Sequence, residues 1–598
     1  MRHVRWIWRF WRPHWQWLLL LATLTLLSSA VTIGYPLVFR YFIDGLKRAL
    51  ELHNPELASN TTWHWMWLIA VIGLARSMAN IYPGVRAMIN AKLEMDIRQF
   101  YFSEILSKPY RFFQRFRTGD LVTRLTDDIG GFPKIAWFCC SGIFRAVESS
   151  SKFIFCMAFM LTMNWHLALL SITPLPVMLY IFYRIRIALG QRAAERQRMI
   201  SQTNDALEAA FSGVRIIKAF RGEANQTREF RRILNKRIGV ELRVIRLWMG
   251  VTNVYWAIQF AGQIIVILAG GMMVIRGSLT MGEFYAFYVY LSLLLPPLMD
   301  IPNLFVTSRQ AFACIDREIE IEQTDARAAA LPSGLPAQPM PKVHALELRD
   351  VSFRYAPDLP LALDGVSLDL RAGERVAIVG TVGSGKSTLM KLAAGLLEPA
   401  GGEVRVNGQP LGEFSITLYR EHVGYIPQEA TLFSESVKDN VSFGRSFDER
   451  RIEDALAQAQ VLREMQALPS GLDQVLGQRG LTISGGQKQR LAIARAVAGL
   501  PDLLLMDDCT SALDAENERA FWGSFRDLLP NTACLIVTHR LATARQADTI
   551  CVLVSGRVVG QGSHSELAES CPEYRALLTR EELEAALQTR APAFAVSR

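Results

Sequence analysis

Gly380-Thr381-Val382-Gly383-Ser384-Gly385-Lys386-Ser387-Thr388 fits the pattern G-x-x-x-x-G-K-[ST]. It follows the apolar run Val376–Val379 and opens the helical pattern Leu389–Leu397, so it reads as strand, tight loop and helix. A loop of this kind wraps phosphates with backbone N–H groups, and the helix N-terminus adds a favourable dipole. Gly380, Gly383, Ser384, Gly385, Lys386, Ser387 and Thr388 are therefore the expected phosphate-binding residues of an ATP site. Lys386 should reach the β- and γ-phosphates, and the Ser387 hydroxyl should ligate Mg2+. Further on, Leu503–Met506 is a buried-strand run ending in Asp507, the expected second ligand of that ion. Asp508 follows, where an ATPase of this design needs a glutamate to polarise the attacking water. Its carboxylate is one methylene short, and a misplacement of about 1 Å can cost roughly 100-fold in rate.

Working outward, strand-like and helical runs alternate after residue 344, which outlines an α/β nucleotide-binding domain over 344–585, with a tail at 586–598. A stretch at 324–343 reads as a linker by its Pro and Gly content. Before it the chain changes character. Half of all 598 residues are apolar, mean hydropathy is +0.16, and only 20% are charged, against roughly 25% in soluble domains. Six membrane spans are expected within 15–323: about 15–36, 63–85, two within 153–183 separated by a tight turn at Asn164-Trp165-His166, 252–275 and 284–305. The first run is too long for a signal-peptide core and reads as a retained anchor. Residues 1–14 mix arginine with tryptophan and read as an interfacial helix on the cytoplasmic leaflet.

The net charge of +9 is concentrated between apolar segments, for example at Arg192, Arg196, Arg198, Arg231, Arg232, Lys236 and Arg237. That is the bias of cytoplasmic loops, and it argues against a nucleic-acid partner. Eight cysteines without CxxC or metal spacing read as reduced thiols. Arg76 and Asp300 lie inside expected spans, and Arg145, Glu148 and Lys152 lead into the third. Ionisable groups at membrane depth usually face a cavity or a partner, so some of these are expected to line a polar cavity.

Leu481-Thr482-Ile483-Ser484-Gly485-Gly486-Gln487 resembles the signature sequence of ABC transporters, which usually reads LSGGQ. The resemblance extends to Tyr355 as the adenine-stacking aromatic, Gln428 as the Q-loop glutamine, Ser511-Ala512-Leu513-Asp514 as the D-loop and His539 as the switch histidine. It also covers the membrane half. Phe112-Phe113, Arg117-Thr118-Gly119-Asp120-Leu121 and Arg124-Leu125-Thr126-Asp127-Asp128 look like the first intracellular loop of ABC exporters, and Gly213–Phe220 looks like the second.

The resemblance implies a six-span helical domain fused to an α/β P-loop nucleotide domain, as in a half-transporter. Asp508, His539 and Gln428 would take catalytic roles. Tyr355, the phosphate loop, Ser484, Gly485, Gly486, Gln487 and Asp514 would contact ATP, and Ser387, Gln428 and Asp507 would hold Mg2+. A weak catalytic residue beside an intact signature resembles the degenerate-site half of a heterodimeric bacterial exporter. The expected partners are thus a second half-transporter, membrane lipids and a small-molecule, lipid or peptide substrate. The expected location is the bacterial inner membrane, with the nucleotide domain in the cytoplasm. Alternatives stay open: a homodimeric lipid flippase or multidrug exporter, and an importer on the exporter fold, as in some siderophore systems; a non-transporting regulator or channel is disfavoured by the intact set of coupling motifs.

Overall fold

The computed structural model describes residues 1–52, 55–324, 340–477, 483–509 and 515–580. Most of the expected linker, Leu481 and Thr482, the D-loop with Asp514, and the 586–598 tail lie outside the described residues. The chain divides into two compact units, one of residues 1–105 and 118–321, the other of 106–117 and 322 onward.

The first unit is helical. A bilayer supplies no partners for backbone polar groups, so apolar segments satisfy them internally as helices. Its long helices are Trp15–Glu51, Pro55–Ala79, Tyr82–Leu106, Ile143–Met163, Leu175–Ser212, Glu223–Ile265 and Met281–Gln323. Among the described residues, four stretches are long and apolar enough to cross a membrane: Arg2–Glu51, Thr62–Leu106, Ile135–Met163 and Glu223–Ile275. The expected fourth span is divided between Trp165–Ile172 and Leu175–Ser212, with Thr173-Pro174 at the break. Pro174 cannot donate a backbone hydrogen bond there. The expected sixth span lies inside Met281–Gln323. The expected turn after Met163 is present, with the Asn164 side chain capping the next helix by accepting from the Leu167 N–H at 3.0 Å.

Ile33, Leu167, Phe287, Tyr290 and Leu294 are buried together, and the Tyr290 hydroxyl donates to the Ile33 carbonyl at 2.8 Å. The N-terminal helix Arg2–Trp11 buries Trp6, Ile7 and Phe10. Trp6 Nε1 donates to the Tyr101 hydroxyl at 2.7 Å, so one face of this helix is tied to protein while Trp8 stays 56% exposed.

The second unit holds two sheets. β1 (Ala345–Phe353), β2 (Leu363–Arg371), β4 (Gly401–Val406) and β5 (Gln409–Pro410) form an antiparallel sheet in the order β2-β1-β4-β5. β3 (Arg375–Val379), β6 (Val423–Ile426), β7 (Leu503–Asp507), β8 (Ala533–Val537), β9 (Thr549–Val554) and β10 (Arg557–Gly562) form the other, ordered β10-β9-β3-β8-β7-β6. All neighbours in it except β10 and β9 are parallel. Every residue of β7 and β8 is buried, as expected for strands covered on both faces. Parallel pairing puts the C-terminal ends of β3, β6, β7 and β8 along one edge, where ligands bind in open α/β sheets.

Candidate nucleotide site

Several of the residues picked out in the sequence follow strand ends on that edge, whereas Tyr355 follows β1 of the other sheet and Ser484 opens a helix. Ile426 pairs with Met506, Asp507 with Val537, and Ile378 with Val537. Strand register alone therefore gathers the phosphate loop after β3, Gln428 after β6, Asp507 and Asp508 at the end of β7, and His539 after β8. Gly385, at φ 105°, caps the helix Lys386–Ala393, and a Cβ there would meet the Ala362 carbonyl oxygen at 2.5 Å. No other residue fits that corner.

Lys386 is buried, and its ammonium donates to the Gly380 carbonyl at 2.9 Å and the Thr381 carbonyl at 2.8 Å. Burial lowers its pKa, against the opposing pull of Asp507 and Asp508. The lysine is thus folded back on its own loop. Ser387 Oγ lies 3.4 Å from Asp507 Oδ1. A hydroxyl and a carboxylate so placed are hard oxygen donors that suit Mg2+, which takes few protein ligands and completes its shell with phosphates and water. Burial raises the Asp507 pKa, and the neighbouring Asp508 raises it further.

Asp508 has a positive φ of 47°. Its N–H donates to the Val537 carbonyl at 2.8 Å, and its own carbonyl accepts from Gln489 Nε2 at 3.3 Å. Burial raises the carboxyl pKa, while the His539 side chain and backbone N–H lower it. Burial and Lys386 lower the His539 pKa, and Asp508 opposes them. Tyr355 is 44% exposed, and its hydroxyl is 3.0 Å from Thr388 Oγ1, which ties the ring to the phosphate-loop helix. Gln428 is exposed.

Ser484 is the N-cap of the helix Gly485–Val497. It forms a capping box with Gln487, accepting from the Gln487 N–H at 3.2 Å and donating its own N–H to Gln487 Oε1 at 2.8 Å. Gln487 Nε2 also donates to Glu464 at 2.7 Å, and Glu464 receives Arg490 at 2.6 Å. In this arrangement the Gln487 side chain braces the signature helix. Glu464, Arg490 and Gln489 were missed by the sequence reading. The S-x-x-Q capping pattern at Ser484 was the one signal that could have pointed to part of this network.

In the helical unit, Arg145 does not pair with Glu148. It reaches Asp300 at 3.3 Å, and Ser149 Oγ donates to Asp300 at 3.2 Å. Glu148 takes Lys152 at 2.6 Å and the Tyr82 hydroxyl at 2.7 Å, with Arg86 at 4.0 Å. Arg76 is exposed. A cavity of about 440 Å³ is lined by Ala146, Val147, Ser150, Ser151, Ile154 and Phe155. It lies along the neighbouring face of the same helix, and none of the charged residues lines it. All eight cysteines are free and buried.

A P-loop, the Asp507 end of β7 and the segment of His539 along one sheet edge, in a chain whose other compact unit is built of apolar helices, fit a membrane protein with an ATP-binding P-loop domain. Comparison with known proteins makes the class specific. Residues 18–298 match the family described as "ABC transporter transmembrane region", and residues 363–511 match "ABC transporter". The chain is 31% identical over 498 residues to a Bacillus subtilis protein named "Probable multidrug resistance ABC transporter ATP-binding/permease protein", covering 82% of this chain and 83% of that one. It is 32% identical over 555 residues to a Mycobacterium tuberculosis protein named "Multidrug efflux ATP-binding/permease protein", covering 93% of this chain and 45% of the other. The chain thus spans about half the length of its mycobacterial relatives. An "ATP-dependent lipid A-core flippase" of Aromatoleum aromaticum is 28% identical over 553 residues, covering 90% of each chain. The solved structure of a bacterial Atm1-family ABC exporter with ATP bound superposes with a TM-score of 0.77 at 24% identity, covering 95% of this chain and 98% of that one. The chain belongs to the ABC transporter family, with the exporter-type fold of a membrane domain fused to a nucleotide-binding domain.

Proposed function

We propose that this chain is one half of a dimeric ABC exporter that couples ATP hydrolysis to movement of a small or amphipathic substrate across the bacterial inner membrane. Its own ATP site would hydrolyse weakly. In this reading Lys386 and the loop amides hold the phosphates, Ser387 and Asp507 hold Mg2+ with Gln428 beside them, and Tyr355 stacks on the adenine. Ser484, Gly485 and Gly486, with Asp514, serve the site of the second chain. The bound metal neutralises phosphate charge. His539 and Asp508 are the groups left to orient water.

The observation that carries the weak-site reading is the fixed backbone of Asp508. A short carboxylate could be compensated by moving its main chain forward. Here the Asp508 N–H is held by Val537 in the neighbouring strand and its carbonyl by Gln489. A second chain is also supported by the helix Val214–Ala219, whose surroundings leave Phe211, Ile216 and Phe220 exposed at 71%, 66% and 82%. We assign that apolar face to the nucleotide domain of the partner half. The lipid and multidrug readings of the substrate are supported by the relatives named for lipid A-core flipping and multidrug efflux.

The test is steady-state ATPase of the purified chain. Asp508→Glu should raise turnover by up to about 100-fold, the inverse of the misplacement penalty, and Asp508→Ala should change it little. Vigorous hydrolysis by the unaltered chain that disappears in Asp508→Ala would make the aspartate a working base and favour a homodimer.

A further inference from the structure

Glu318 lies near the end of Met281–Gln323, past the membrane-spanning part, and is completely buried. Neither of its carboxylate oxygens has a hydrogen-bond partner. A buried carboxylate in that condition is strongly unfavourable when ionised. Cations are close, but each is committed elsewhere. Arg124 donates to Asp120 at 2.9 Å, to Glu320 at 3.0 Å and to the Arg317 carbonyl at 2.6 Å. Arg317 pairs with Asp120 at 3.0 Å and Asp128 at 2.8 Å. Lys134 holds Asp128 at 3.0 Å and also pairs with Asp127. The Cys314 thiol bonds to Asp128 as well, and on the far side His3 meets Asp316 at 2.8 Å. Burial, with Asp128 and Asp120 adding negative charge, pushes the Glu318 carboxyl up to about 8, and Arg124 and Arg317 offset this only in part.

Two further observations give the site a role. The segment facing it, Arg124–Asp128, is a π-helical turn, a local interruption of the i→i−4 ladder that recurs at functional sites. The chain also passes between its two compact units at 105/106, 117/118 and 321/322, and the cluster is built from residues just inside the second and third of these crossings.

We propose that Glu318 is a proton-binding site sensitive to how the π turn Arg124–Asp128 packs against the end of Met281–Gln323. It holds a proton while the π turn and the end of Met281–Gln323 are packed as seen here, and releases it to water when they separate as ATP binds. The O–H bond breaks, and the carboxylate left behind is then met by solvent or by Arg124. The first half of this inference needs no nucleotide; the second rests on the ATP-driven reading above.

The experiment has two arms, both on the full chain in lipid nanodiscs. In the first, thermal unfolding without nucleotide is followed from pH 5 to 9 for the unaltered chain, Glu318→Gln and Glu318→Leu. Neither substitute can ionise, so their midpoints should exceed that of the unaltered chain by a gap that widens up to about pH 8 and is then constant. A gap independent of pH, or a uniform loss in both variants, overturns the proton site. In the second arm, Mg·ATP affinity is titrated over the same range. Proton release on binding makes the affinity of the unaltered chain rise with pH, relative to Glu318→Gln, by up to about tenfold per unit below pH 8. Parallel curves overturn the link to the cycle. Failure of both chains to bind Mg·ATP at any pH counts against the transporter reading itself, and the stability arm still decides the proton site.

Discussion

At the end of β3 the buried Lys386 donates to two loop carbonyls and faces Asp507 and Asp508, whereas at the end of Met281–Gln323 the buried Glu318 has no hydrogen bond. Both side chains are inside protein, and both have shifted pKa values because burial disfavours their charge. The difference lies in what compensates them. Around Lys386 two backbone carbonyls and two acids supply negative charge at a strand end, which offsets the cost of burying an ammonium that the proposed function assigns to phosphate. Around Glu318 every cation is already committed, so the compensating species is a proton. A buried charge in this chain marks a ligand site only where its surroundings leave room for the ligand.

The sharpest way to break that contrast is Lys386→Ala. If the lysine waits for phosphate, removing it takes away the buried cation of the phosphate loop and leaves Asp507 to Lys391 and Asp508 to His539 and Arg540. ATP affinity and turnover should fall by at least about 100-fold, the size expected for losing a preorganised charge in a water-poor site. The check is equilibrium binding of a labelled ATP. A loss under about threefold, with an unchanged melting temperature, would make Lys386 an internal brace of its loop.

A smaller effect separates the two sites by pH. Asp507 must be ionised to hold the metal, and its pKa is raised by burial and by Asp508. The raised value extends the protonated form to higher pH than for an ordinary carboxylate. Mg2+-dependent nucleotide affinity should therefore weaken as pH falls through that range, by up to about tenfold per unit. It should flatten once pH exceeds the raised value. In Asp508→Asn, one of the two causes is gone, so the acid limb should move to lower pH. Identical acid limbs in both chains would show that the two aspartates do not interact.

The nucleotide edge was legible in the sequence because its residues sit at strand ends, where motif and register are both local signals. Lys386, Asp507 and His539 each follow an apolar run that could hardly be anything but a buried strand. Other features were hidden because they depend on contacts between distant segments. Arg145 and Glu148 are close in sequence, yet Arg145 reaches across 155 positions to Asp300. Glu318 gave no signal, since one glutamate in an Arg-Glu-Ile-Glu run reads as a solvated helix face. Gln487 was assigned to ATP from the signature pattern, and the capping box and Glu464 bond of its side chain add a structural part that the pattern did not announce. The division of the expected fourth span was readable from Pro174, but a proline inside an apolar stretch is tolerated often enough in membrane helices to be passed over.

The last prediction concerns the Arg145–Asp300 pair, which differs from both buried sites in being partly open: Arg145 is 49% exposed and Asp300 30%. Its contacts, at 3.3 and 3.4 Å, are long for a charge-assisted bond. Solvent or lipid headgroups can therefore replace either partner at small cost. A double-mutant cycle of Arg145→Ala and Asp300→Asn, read by thermal unfolding in nanodiscs, should give a coupling of about 0.5–1 kcal/mol, the scale of an exposed pair. Ser149 keeps a hydrogen bond to Asp300, so Arg145→Ala should be the milder of the two single changes. A coupling near 3 kcal/mol or above would place the pair with the buried charges. In that case Arg145 would join Lys386 as a cation held in reserve, and the room around it for a substrate would become the next thing to measure.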